Sequence, residues 1–89
     1  MAGSKREKLR RKLRDAPANA RMRDVEALLR GFGFTLARTK GSHHIYEYDD
    51  GEQWRQIVIP LHGRKVKEIY VKKVLEMIDG LFPEAEGDE

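Results

Sequence analysis

The chain has 89 residues, 39% of them apolar and 37% charged, with no cysteine and a net charge of +3. That is one small domain near the lower limit of what a single apolar core stabilises, and the missing cysteines exclude a disulfide framework or a thiolate zinc site. No apolar run approaches the roughly 20 residues of a membrane-spanning helix, and the start is basic and polar rather than signal-like, so a cytoplasmic setting is expected.

The charge is unevenly spread. Residues 1–14 hold seven Lys or Arg against Glu7, a local surplus of +6 that leaves −3 for the remainder, with Glu84, Glu86, Asp88 and Glu89 gathered at the end. This asymmetry predicts a basic N-terminal extension and linker over 1–21, a folded domain over 22–83 and a solvated acidic tail over 84–89. The basic arm fits either a solvated helix face or a surface that meets phosphates.

Within that arm, Ser4 stands where it can cap a helix with Glu7 in the capping-box position, giving a helix over about 5–14. Leu9 and Leu13 are four apart on one face, a small apolar anchor that predicts loose attachment. Pro17 interrupts the pattern. Val25, Leu28, Leu29 and Phe32 then follow the spacing of one buried helical face, predicting a helix from Arg23 to Gly31 that Gly31 and Gly33 end. Phe34–Arg38 alternates as a short strand, with Phe34 and Leu36 on one side. Lys40-Gly41-Ser42 turns the chain into a second strand over His43–Tyr48, and Asp49-Asp50-Gly51-Glu52 is a strong hairpin signal. A third strand spans Trp54–Leu61, and because Pro60 has no N–H, its end is expected to lie at a sheet edge or to stop pairing there. A basic loop, His62-Gly63-Arg64-Lys65, leads into the longest helix, Val66–Asp79, whose expected buried stripe is Val66, Ile69, Tyr70, Val74, Met77, Ile78 and Leu81.

The order is helix, three antiparallel strands, helix, preceded by an additional basic helix. Both helices should cover one face of the sheet and leave the other open. This is an α+β two-layer sandwich, α-β-β-β-α, of the kind seen in double-stranded RNA-binding domains (dsRBDs).

The densest chemistry lies in Thr39-Lys40-Gly41-Ser42-His43-His44-Ile45-Tyr46. A cation, a permissive glycine, a hydroxyl and two imidazoles at a loop-to-strand junction can hold a phosphate and move a proton beside it. By spacing alone, His43 and His44 equally fit an exposed turn pair. His62 fits a structural role at the strand-to-helix turn. Adjacent His43 and His44 on a strand point to opposite faces, which argues against a shared metal site, and no cofactor is called for. Tyr46, Tyr48 and Trp54 fit either base stacking on the open face or core packing. Asp49 and Asp50 are turn formers.

Leu29-Arg30-Gly31-Phe32-Gly33-Phe34, the Lys40–Tyr46 stretch, Val58-Ile59-Pro60-Leu61-His62-Gly63 and Val66-Lys67 together resemble the HicA (YcfA-like) toxin family over about residues 22–80. The resemblance implies an mRNA-cleaving toxin on a dsRBD-like fold, held in check by a HicB-type antitoxin. It implies that the family's catalytic histidine maps onto His43, with His44 as the alternative. The basic helix, the longer hairpin and Glu68-Ile69-Tyr70 at the start of the last helix depart from the family pattern. Histidine suits removal of a proton from the RNA 2′-hydroxyl because its ordinary pKa lies near 6.5. Lys40 and Ser42 can hold the scissile phosphate, and Arg64 and Lys65 the neighbouring backbone. The other function class that this pattern allows is a non-catalytic module that binds structured RNA.

Overall fold

Ser4 does cap the first helix: in the computed structural model, which describes residues 4–83, its Oγ accepts the backbone N–H of Glu7 at 3.3 Å and α1 runs over Lys5–Asp15. The acidic tail expected over 84–89 lies outside the described residues. The loose attachment expected of α1 does not hold. Leu13 is buried in the core and Leu9 packs against it. The buried Arg10 places its guanidinium 4.7 Å from the Phe32 ring centre and 3.3 Å from Asp79, which Arg14 also reaches at 2.8 Å. Arg6 lies 4.6 Å from the centre of the same ring and donates to the Gly31 carbonyl at 3.1 Å. Lys12 meets Asp24 at 3.4 Å. Counting apolar residues misses such a helix because arginine packs through its stem and its planar cation while remaining polar in any hydropathy scale.

The second helix, α2 (Met22–Gly31), buries Val25, Leu28 and Leu29. Gly33, at φ +96°, lets the chain leave it: the Phe34 N–H donates to Leu29 O at 2.9 Å and the Gly33 N–H to Arg30 O at 3.1 Å. This Schellman pattern satisfies the last carbonyls and turns the chain into the sheet.

Three antiparallel strands follow in spatial order β2-β3-β4: β2 (Thr35–Lys40), β3 (His43–Asp49) and β4 (Trp54–Pro60). Gly41, at φ +60°, opens the two-residue connection between β2 and β3. At the second hairpin the Asp50 carboxylate accepts the N–H groups of Glu52 (2.9 Å) and Gln53 (2.7 Å) and the Tyr48 hydroxyl (2.8 Å). Asp49 and Asp50 are thus turn residues, as their spacing implied.

Two short strands absent from the sequence reading, β1 (Ala20–Arg21) and β5 (Lys65–Val66), pair antiparallel and tie the start of α2 to the loop before α3 (Glu68–Leu81). Two residues give no periodicity to read, and Asn19, at φ +65°, supplies the bend before β1. The buried face of α3 is Val71, Val74, Leu75 and Ile78, whereas Ile69 is 57% exposed, against expectation. The four follow the i, i+3, i+4, i+7 spacing, and that phase carries Ile69 away from the sheet. All three helices join one core with Phe34, Tyr46, Tyr48, Ile57 and Ile59 from one face of the sheet.

Candidate functional site

Which residues share a face follows from the register. Leu36 stands opposite Tyr46, but Arg38 stands opposite Ile45, so Ala37 is an extra residue and β2 is bulged there. A bulge shifts the alternation by one. Strict alternation from Phe34 and Leu36 would send Arg38 and Lys40 toward the helices. The bulge sends them to the open face instead.

The open face therefore carries Arg38, Ile45 and Val58 in one row and Lys40, His43 and Pro60 in the next. Lys40 and His43 are directly opposite and both exposed. Trp54 lies on this face beyond them, 52% exposed, opposite Asp49. His43 also lines a cleft of about 750 Å³ along the free edge of β4, to which α3 contributes Tyr70, Lys73, Glu76 and Met77. Arg38 was not singled out by its local sequence; only the bulge brings it to the same face as His43.

His44 goes the other way. It stands between Thr39 and Ile59 on the helix side, half-buried, and its Nδ1 is enclosed with no hydrogen-bond partner among the described residues. The two histidines thus face opposite sides of the sheet. Of the aromatic residues with a possible stacking role, Tyr46 and Tyr48 turn inward. Burial, then the 2.7 Å hydrogen bond from its hydroxyl to Glu26, pushes the Tyr46 ionisation well above the usual phenol range, so it stays protonated at neutral pH.

Ser42 is exposed in the turn, where its carbonyl accepts the Leu61 N–H at 2.9 Å. Arg64 and Lys65 are exposed beyond Leu61. His62 and Lys65 exchange backbone hydrogen bonds at 3.2 Å around Gly63, which fits the structural role read for His62. The site is therefore split: Lys40 and His43 together, His44 beneath the sheet, and Arg64 and Lys65 on a neighbouring lobe.

An α+β domain with helices on one sheet face and a histidine pair where a hairpin turn enters the central strand is compatible with the dsRBD-like class. A family model described as HicA toxin of bacterial toxin-antitoxin matches residues 22–79. The chain belongs to the HicA toxin family, and membership implies a toxin-antitoxin system with an antitoxin as partner. No curated protein and no solved structure matches. Among the described residues, no helix is long and apolar enough to cross a membrane.

Proposed function

We propose that this chain is a metal-independent endoribonuclease that cleaves mRNA in the cytoplasm, the toxin of a HicA/HicB-type pair. The observation that carries the reading is the placement of Lys40 directly opposite His43 on the open, exposed sheet face. His43 takes the proton from a ribose 2′-hydroxyl, and the 2′-oxygen attacks the adjacent phosphorus. The bond from phosphorus to the 5′-oxygen breaks, leaving a 2′,3′-cyclic phosphate on one fragment. The departing oxygen takes a proton from water and becomes a 5′-hydroxyl. Lys40 stabilises the charge that builds on the phosphoryl oxygens, and the Ser42 hydroxyl donates to the same group. The RNA brings its own nucleophile, so the protein need supply only a base, a cation and position.

A second assignment of the base is His44. Its enclosed, unpartnered Nδ1 is the kind of buried polar atom that a native fold retains for a ligand or a reaction. The deciding experiment is cleavage of a long mRNA in chelator by wild type, His43→Ala and His44→Ala, with product ends analysed. Metal-independent cutting lost only in His43→Ala, with cyclic phosphate and 5′-hydroxyl ends, supports the first assignment. Loss only in His44→Ala moves the base beneath the sheet. Fragments with 3′-hydroxyl and 5′-phosphate ends contradict the mechanism. A folded wild type that binds structured RNA and does not cut it is the non-catalytic module. Suppression of cutting by the cognate HicB-type protein tests the partner.

A further inference from the structure

Two sets of cations in this domain differ in their surroundings. Arg6, Arg10, Lys12 and Arg14 on α1, with Arg30 and Lys72, are engaged by carboxylates, a carbonyl or aromatic rings. Arg21, Arg23, Arg64 and Lys65 form no ion pair among the described residues, yet they converge. They come from both sides of the β1–β5 ribbon, where Arg21 stands opposite Lys65 and the Met22 N–H donates to Arg64 O at 2.8 Å. Together they rim a groove of about 520 Å³ whose floor includes Met22 and Leu61.

Holding four cations in one concavity with no carboxylate among them raises the local potential, and such a groove concentrates anions. The floor is partly apolar, so a phosphate alone leaves it unfilled. A nucleotide has both parts, an anion for the rim and a flat base for Met22 and Leu61, and the groove is within the size range of small-ligand sites. Leu61 is also the link to the histidine turn, through its N–H bond to Ser42 O. Leu61 thus joins the groove to the turn between Lys40 and His43.

We infer that the groove between the start of α2 and the β1–β5 ribbon is a positioning site for single-stranded RNA, holding an unpaired nucleotide next to the bond that is cut. Arg21 and Arg23 hold its phosphates with Arg64 and Lys65, and Met22 and Leu61 receive the base. The inference rests on the ribonuclease reading and adds to it a substrate form: unpaired, with at least one nucleotide beside the cleavage site.

The test is binding of a single-stranded RNA made uncleavable by 2′-O-methylation at every sugar, across a salt series, alongside cleavage of the unmodified strand. The variants are Arg21→Gln/Arg23→Gln in the groove and, as an equal change in charge away from it, Lys8→Gln/Arg11→Gln on α1. All four positions are exposed, and thermal melts verify that each variant is folded. Two lost contacts lower the slope of log affinity against log salt by about 1.4, so raising salt fourfold costs the groove variant about sevenfold less affinity than wild type. The groove variant should show that change and a higher KM with kcat kept, and the α1 variant neither. Wild-type cleavage with groove and α1 variants alike overturns the positioning site and leaves the ribonuclease reading intact. Wild type that neither binds nor cuts RNA removes both. Unchanged RNA binding by the groove variant, with loss of a polyglutamate peptide that wild type holds, assigns the groove to an acidic peptide and overturns the inference.

Discussion

Leu13→Ala measures whether α1 is part of the folded unit or a basic arm beside it. Leu13 is 2% exposed and belongs to the same core as Leu28, Phe32 and Ile78. Burying a leucine contributes about 1.5–3 kcal/mol, and the cavity left by truncation raises the loss to about 2–5 kcal/mol. A domain of this size has roughly 4–13 kcal/mol in all, so one methyl-rich side chain on α1 carries a large share of it. At about 4–8 °C per kcal/mol, the melting temperature should fall by about 8–40 °C. Urea unfolding of wild type, Leu13→Ala and two controls reads this out. Leu13→Met keeps the volume and should lose under about 1.5 kcal/mol. Arg11→Ala, exposed on the same helix, should stay within about 0.5 kcal/mol of wild type. A Leu13→Ala midpoint equal to that of Arg11→Ala would refute the packing of α1. If the packing holds, deleting residues 1–16 abolishes cleavage by unfolding the domain, and the loss says nothing about RNA contacts of the arm.

Three further outcomes follow from single contacts. A Cβ built on Gly31 would lie 2.9 Å from the Arg6 Cβ, whereas one on Gly80 meets nothing within 4 Å; Gly80→Ala should therefore gain about 0.5 kcal/mol in helix propensity, and Gly31→Ala should lose stability by displacing α1, both read by urea midpoint. Tyr46→Phe removes the 2.7 Å bond to Glu26 and should cost about 1–2 kcal/mol. Because the folded-state ionisation of Tyr46 is raised, wild-type stability should also fall above about pH 10, where only the unfolded chain releases that proton, and a Tyr46→Phe profile parallel to wild type there would contradict this. The N–H groups of Gln53 and Glu52, then the Tyr48 hydroxyl, hold the Asp50 carboxyl below its ordinary value. Its contribution is thus complete above about pH 4 and lost as pH falls through the lowered folded value, so the stability gap between wild type and Asp50→Asn should be flat from pH 7 to 5 and narrow in acid; a gap unchanged at pH 2 would refute it.

Much of the layout was legible in local sequence because it rests on short-range rules. The face of α2 is four apolar residues at helical spacing, and Gly33 had to be a glycine because the Schellman turn takes it to φ +96°. Asp49-Asp50-Gly51 forms the hairpin through bonds within four residues. The phase of α3 is ambiguous in the sequence because the helix begins at Glu68 rather than Val66, and Ile69, Tyr70 and Val71 offer an apolar residue to every side. At the site, the sequence brought Lys40 and His43 together across one turn, and hairpin pairing keeps them so.

Long-range relations lay outside its reach. The sequence by itself determined the three-stranded sheet, the helices on one side, the histidine turn and the family, since each rests on short stretches whose patterns are read from neighbours within a few positions. The tertiary structure alone decided that α1 belongs to the core, because Arg10 and Arg14 find Asp79 more than sixty positions away. It alone decided that the Ala37 bulge turns Arg38 and Lys40 outward beside His43 while His44 turns in. And it alone drew Arg21, Arg23, Arg64 and Lys65 around one groove, through the pairing of two strands too short to leave a pattern in the sequence.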